Sequence, residues 1–368
     1  MDLATLLAPF HAHTAAIVVA CIAALPVPTA MAQWVQCAGT AGLNMQSLSS
    51  RGPVAFSGGA TGAYRSLDGG ASFASSNSGN DATGPTRGFA NDADSIYTCT
   101  SQGVFRSTNS GASWVSRSFG LPSLLSSGIL WVEGRLFLVG PTGVFHSENQ
   151  GDSWVAAGMS GIDSRCIAAI GSTLFVGTNG AGVYRSTNWG SSWTAVNAGL
   201  SATNIRAIEA KGGTLFAGGQ IGTGVFRSTD LGASWTLLRG GLPTSSYRGF
   251  ASDGRVIVAG SFGAGVFYSV DNGTRWTAIN AGLGDLTIFD LEIHQGQLLA
   301  ATNTQGVFRF AMSNLVDLDG DRCIGAADLS ILLGAWGPCT ACAADFDGDG
   351  IVAATDLALL LSYWGSCG

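Results

Sequence analysis

Apolar and polar positions alternate in short blocks along this chain, and one unit shows the pattern. From Arg165 an apolar run RCIAAI leads through a turn to a second run, STLFVGT, then to GVYRS, a polar hairpin, and a segment that opens on Trp193. Runs of this length bounded by Gly, Asn, Asp and Ser predict four short β-strands per unit. The stretch GVYRSTNWGSSW at 182–193 has counterparts in GAYRSLDGGASF at 62, GVFRSTNSGASW at 103, GVFHSENQGDSW at 143, GVFRSTDLGASW at 224 and GVFYSVDNGTRW at 265, and a final GVFRF starts at 306. The first glycines, at 62, 103, 143, 182, 224, 265 and 306, are almost evenly spaced. That spacing is the period of propeller blades.

The hairpin inside each unit is specified locally. Asp68, Asn109, Asn149, Asn188, Asp230 or Asp271 can accept hydrogen bonds from nearby backbone amides, and the glycine two positions on supplies a positive φ. The closing aromatic, Phe73, Trp114, Trp154, Trp193, Trp235 or Trp276, offers a large flat surface to bury between stacked sheets. Seven GV(F/Y)-type strands accompany only six complete hairpins. The segment Trp34-Val35-Gln36-Cys37, followed by Gly42-Leu43, parallels Trp193-Thr194-Ala195-Val196, followed by Gly199-Leu200. The amino-terminal residues are therefore expected to supply the missing outer strand of the last unit and close a ring of seven, which removes an exposed sheet edge.

These residues match the Asp-box, S-x-D-x-G-x-[TS]-W, with Glu148 and Arg275 as departures. Residues 33–313 thus resemble the Asp-box β-propellers, a group that includes sialidases, sortilin-type receptors, xyloglucanases and photosystem assembly factors. The resemblance implies an all-β, seven-bladed β-propeller whose boxes lie on the face opposite the ligand.

The carboxy-terminal residues 314–368 follow a different pattern. DLDGDRCIGAAD at 317–328 and DFDGDGIVAATD at 345–356 each precede an apolar run, LSILLGAW or LALLLSYW, and each puts aspartate at loop positions 1, 3, 5 and 12. A twelve-residue loop of this spacing wraps one Ca²⁺, with Asp317, Asp319, Asp321 and Asp328 in one site and Asp345, Asp347, Asp349 and Asp356 in the other. The carbonyls of Cys323 and Ile351 stand at position 7. Without a cation each loop would hold four repelling carboxylates, so two Ca²⁺ ions are expected to fold this segment. Duplicated loops with one helix each and aspartate at position 12 resemble a dockerin, which implies a small all-α calcium-binding domain docking onto a cohesin-like partner. Arg322 stands where the second loop has Gly350, so the first site is expected to bind more weakly. Cys323, Cys339, Cys342 and Cys367 could form two disulfides in any of three pairings, while Cys37, Cys99 and Cys166 lie scattered over strands.

Charge adds an exclusion. The net charge of −7 belongs to the tail, where Arg322 stands alone against eight aspartates, and the remaining 16 bases and 15 acids, Asp2 set aside, nearly cancel. No basic field suited to nucleic acid results. An apolar run from Ala15 to Leu25, then Pro26, Pro28 and Ala30-Met31-Ala32, reads as a signal peptide over residues 1–32 with the mature chain starting at Gln33. The expected location is secreted, extracellular or at the cell surface, and no other run reaches the length of a membrane span.

Candidate site residues come from the repeat register. Arg87, Arg165, Arg206 and Arg248 occupy equivalent places near the start of the innermost strand, at the end that opens onto the ligand face of a propeller. Four guanidiniums on one rim could clamp a carboxylate, sulfate or phosphate, or each could bond a neighbouring blade's carbonyls. The arginines within the repeat motif, Arg65, Arg106, Arg185, Arg227 and Arg309, are expected to be structural. For glycoside hydrolysis two carboxylates must flank the bond. Asp92, Asp94, Glu133, Glu209 and Asp253 are expected in turns on the box face, which leaves Asp81, Asp163 and Asp285, with Asp163 and Asp285 as the catalytic candidates. The F-R-I-P motif of sialidases is absent, with only Arg51-Gly52-Pro53 near the start, and xyloglucanases of this type place their cleft between two propellers where this sequence encodes one. The sequence therefore predicts a propeller binding a glycan or extracellular protein, with a glycoside hydrolase acting on polysaccharide as the alternative.

Overall fold

The computed structural model describes residues 33–79, 84–220, 222–321, 323–339 and 342–367; the expected signal peptide, Asp81 and Arg322 lie outside the described residues. Seven four-stranded antiparallel sheets form among the described residues. Blades 1 to 7 have as their innermost strands Met45–Arg51, Thr86–Asn91, Gly128–Val132, Ser164–Ile170, Ile205–Lys211, Tyr247–Ser252 and Ile288–His294. These strands face one another around a central channel, blade 7 meeting blade 1.

Closure follows the expected route. The outer position of blade 7 is filled by Val35–Gln36, which pairs antiparallel with the strand Val307–Ala311 through Val35 opposite Arg309 and Gln36 opposite Phe308. Trp34 is 3 % exposed and packs against Phe310 at 5.4 Å between ring centroids. Its indole donates to the Ile279 carbonyl in the preceding blade. The same inter-blade bond recurs from Trp114 to Ser76 (2.7 Å), Trp154 to Arg117 (2.7 Å), Trp193 to Ala157 (2.7 Å) and Trp235 to Val196 (2.8 Å). Trp34 thus occupies the tryptophan position of blade 7. Trp276 departs from the series and donates to Gly273 of its own hairpin (2.9 Å).

The repeated hairpin shows why its residue types recur. In blade 2 the Ser107 hydroxyl donates to Asn109 Oδ1 (2.9 Å) and accepts from the Gly111 amide (2.9 Å), while Asn109 Oδ1 also accepts from the Ser113 amide (2.9 Å). Gly111 has φ +75°, and a Cβ there would lie 2.6 Å from the Phe56 ring of blade 1, so both conformation and space demand glycine. Arg65, Arg185 and Arg227 donate to the hairpin carbonyls of Ser110, Leu231 and Asn272 in the next blade, the structural role expected of them.

Beyond blade 7 a short 3-10 turn, Met312–Leu315, leads into the tail, which contains helices α1 (Ala326–Gly334) and α2 (Ala354–Ser362). Cys323 pairs with Cys367 and Cys339 with Cys342, one of the three open pairings. Cys37, Cys99 and Cys166 are free, and burial pushes each thiol up to about 12. The tail is packed against the propeller. Ile324, Phe346, Val352, Leu359, Leu360 and Tyr363 share one apolar cluster with Val256, Tyr268 and Phe310 of blades 6 and 7. No helix among the described residues is long and apolar enough to cross a membrane.

If Trp34 locks the ring, Trp34→Ala should cost about 3–5 kcal/mol in urea denaturation, as should Trp235→Ala. A loss below about 0.5 kcal/mol, the level of an ordinary surface change, would contradict the lock.

Candidate functional site

The sevenfold register builds a cavity at one mouth of the channel. The second position of the innermost strand, or the residue before it in blade 3, is Gln46, Arg87, Ser127, Arg165, Arg206, Arg248 and Phe289 around the ring, and all seven line a single cavity of about 540 Å³. Two positions further in stand Leu48, Phe89, Ile129, Ile167, Ile208 and Phe250, which make its floor apolar. Blade 7 adds no residue at this second level, and in every blade but the third a register shift at the second position inserts an extra residue into the innermost strand, a bulge that re-aims the side chains there. The structure therefore brings together all four arginines expected at the rim.

Their environments differ. Arg165 bonds Asp163 at 2.5 Å, and the Arg248 guanidinium lies over the rings of Phe262 (4.2 Å) and Phe289 (5.2 Å). Among the described residues, the Nε atoms of Arg165 and Arg248 are buried without a hydrogen-bond partner. Burial, then the charge of Arg206, pulls Arg248 below its ordinary range. Like charges held together over an apolar floor, with donors unspent, favour an anion among them.

Two carboxylates that the sequence did not single out for this site also line the cavity, Glu209 and Asp290. Glu209 was expected in a turn on the box face. It instead lies within the innermost strand Ile205–Lys211, three positions after Arg206, while Asp92, Asp94, Glu133 and Asp253 do lie between strands. Counting three positions on from each second-position residue, the same arithmetic that located the arginines, would have found Glu209 and its blade 7 counterpart Glu292. Burial pushes Glu209 up to about 8, with the charges of Glu292 and Asp290 adding to it. Asp290 rises to about 7 by burial, although it accepts from the Leu48 and Leu291 amides (2.8 and 2.9 Å). Glu292, bonded by the Ser50 hydroxyl, also rises to about 7 through burial.

Asp163 and Asp285 do not line the cavity. Asp163 accepts from Arg165 and from Asn179 (3.0 Å). Asp285 accepts from the Thr287 amide (2.8 Å) and from the amide and hydroxyl of Thr304 (2.8 and 2.7 Å). Burial alone would raise it, but those bonds hold it below the usual carboxylate range.

In the tail, carboxylate oxygens of Asp317, Asp319 and Asp321 lie within 4.8 Å of one another, as do those of Asp345, Asp347 and Asp349. Such gathered hard-oxygen donors suit a divalent cation of the Ca²⁺ type. Asp328 and Asp356 are buried and hold each loop against its helix. Asp328 accepts from Leu318 (2.8 Å) and Gly325 (2.7 Å), Asp356 from Phe346 (2.7 Å) and Ala353 (2.9 Å). The Cys323 and Ile351 amides bond Asp321 and Asp349 (2.7 and 2.8 Å), which holds the backbone on the amino side of the position 7 residues.

No family model matches the chain, and no curated protein does. Solved structures do match. A GH74 xyloglucanase from Xanthomonas campestris superposes with a TM-score of 0.64 at 16 % identity over 75 % of this chain and 53 % of that one. A GH74 enzyme from Niastella koreensis gives 0.56 at 18 % over 74 % of this chain and 44 % of that one. YCF48 from Cyanidioschyzon merolae gives 0.60 at 15 % over 76 % of this chain and 99 % of that one. This chain thus spans about half the length of the GH74 enzymes it resembles, and at these identities the likeness shows the β-propeller fold.

The three raised carboxyls make stability depend on pH. For Glu209 the folded value of about 8 exceeds the ordinary 4.5, so the folded state holds the extra proton between them and loses stability as pH rises through that window. Thermal melts at constant ionic conditions should therefore show a lower Tm at pH 8 than at pH 5.5, with Glu209→Gln narrowing the gap. An unchanged gap in that variant would contradict the buried placement of Glu209.

Proposed function

We propose that this chain is a secreted Asp-box propeller that binds an acidic glycan, or an acidic patch of an extracellular protein, in the arginine-rimmed cavity. Its tail is a dockerin-like module that holds two Ca²⁺ ions and attaches the propeller to a cohesin-type partner. One observation carries the reading: guanidiniums from blades 2, 4, 5 and 6 line the same cavity, two of them with a buried donor unspent. The hairpins sit between blades in structural roles, as in the families whose boxes lie away from the ligand. Removal of a signal peptide ahead of Gln33 would leave Trp34, which closes the ring, beside the new amino terminus.

In the tail Asp317, Asp319, Asp321 and Asp328 would hold one ion, and Asp345, Asp347, Asp349 and Asp356 the other, with the carbonyls of Cys323 and Ile351. A bound Ca²⁺ would neutralise the carboxylates gathered in each loop. Attachment to the partner is then calcium-dependent.

The second reading is a glycoside hydrolase acting on polysaccharide, and the observation that favours it is the pair Glu209 and Asp290 on the cavity wall, both shifted towards neutrality. The solved GH74 enzymes keep that reading open.

Calorimetric titration with uronic-acid-containing, sulfated and neutral polysaccharides separates these readings. Acidic polymers should bind and neutral ones should not, binding should weaken with salt, and Arg206→Ala should lower affinity about tenfold or more. Equal affinity for neutral polymers, or an Arg206→Ala variant that binds as the wild type does, would refute the anion site. Release of reducing ends, lost in Glu209→Gln, would favour the hydrolase.

A further inference from the structure

The two halves of the tail repeat one another in register, the first loop starting at Asp317 and the second at Asp345. Equivalent positions should then share an environment unless something outside the tail covers one of them. Some pairs do match: Ile324 and Val352 are buried, Leu332 and Leu360 are buried, and Trp336 and Trp364 are exposed. Others do not. Ile331 in α1 is 42 % exposed and its counterpart Leu359 in α2 only 6 %. Leu318 and Ala335 are partly covered, whereas Phe346 and Tyr363 are buried.

The second half shares its apolar cluster with blades 6 and 7, and the polar contacts to it come from blade 6. The Tyr363 hydroxyl donates to Asp253 at 3.3 Å, the Arg255 guanidinium lies over the Tyr363 ring at 4.6 Å, and the Tyr268 hydroxyl donates to the Phe346 carbonyl at 3.4 Å. Tyr268 occupies the strand position held by Arg65, Arg106, His146, Arg185, Arg227 and Arg309 in the other blades. Only blade 6 puts a tyrosine there, and that tyrosine reaches the tail.

Phe346 is position 2 of the second loop, between Asp345 and Asp347, whose carboxylates gather with that of Asp349. Its amide bonds Asp356 and its carbonyl bonds Tyr268. One peptide segment is therefore held by the carboxylates that would bind the ion and by the propeller at once. Position 2 of the first loop, Leu318, meets Asp328 through its amide, a bond that stays within the tail.

We propose that Ca²⁺ binding by the second loop and seating of the tail on blade 6 are coupled, so that calcium fixes the tail to its own propeller through the second half. The first half then carries the face left free for an outside partner. The coupling rests on the calcium reading above. Coupling is reciprocal: docking on blade 6 raises the calcium affinity of the second loop, and the ion holds the docked arrangement.

Calcium titration of the full chain by calorimetry, paired with hydrogen exchange over residues 253–256 and 266–270, tests this. The wild type should show two sites, and calcium should protect those blade 6 segments relative to EGTA. Tyr268→Ala should weaken one site about tenfold and leave the other unchanged, within the range usual for coupled sites. Tyr363→Phe, which removes only the bond to Asp253, guards against a misfolded blade and should weaken the same site by a few-fold. Two ions bound with unaltered affinities in both variants, and exchange indifferent to calcium, would overturn the coupling while leaving the calcium sites standing. No calcium binding at all would overturn the calcium reading and the coupling with it.

Discussion

The structure depends on one non-local contact, the docking of residues 33–37 onto blade 7. Every other blade is built from consecutive strands, and the indoles of Trp114, Trp154, Trp193 and Trp235 bond the blade that immediately precedes them in the chain. Trp34 instead bonds Ile279, at the far end of the propeller sequence. Loop closure over that span is entropically costly, and the contact offsets it by pairing the last free edge and burying an indole where the ring would otherwise open. Without it the cavity would have no seventh wall, since Phe289 and Asp290 belong to blade 7.

Closure turns a linear repeat into a site. A single blade presents one second-position side chain, which has no partner of its own kind. Seven blades on one axis turn that position into a ring, and the ring here is four arginines, a glutamine, a serine and a phenylalanine over an apolar floor. The charge of Arg206 acts on Arg248 across this ring. Asp163 holds Arg165 and the rings of Phe262 and Phe289 carry Arg248, and an anion among the guanidiniums would relieve the repulsion between Arg206 and Arg248. The carboxyls of Glu209, Asp290 and Glu292 sit in the same low-dielectric channel and respond by retaining protons towards neutrality rather than by pairing.

The sequence showed the blade count, the closure and the arginine ring because each rests on period and register, which a linear string preserves. It hid Glu209 because turns and strand interiors both carry acids, and only the count from Arg206 distinguishes them. It also hid the seating of the tail. Tyr268 looks like a tolerated change in a repeat, and Phe346 and Tyr363 look like ordinary residues of a duplicated module. Their meaning is an interface between blade 6 and a segment far along the chain, which no local pattern encodes. The pairing of Cys323 with Cys367 and of Cys339 with Cys342 was open among three possibilities for the same reason.

Closure and the arginine ring are tested together by a crystal soaked in selenate at low millimolar concentration, read by anomalous scattering. The account predicts residues 33–37 paired with 307–311 and a selenium peak among Arg165, Arg206 and Arg248. A closed ring with that cavity empty while surface arginines hold the anion, or an amino-terminal segment away from blade 7, would contradict it.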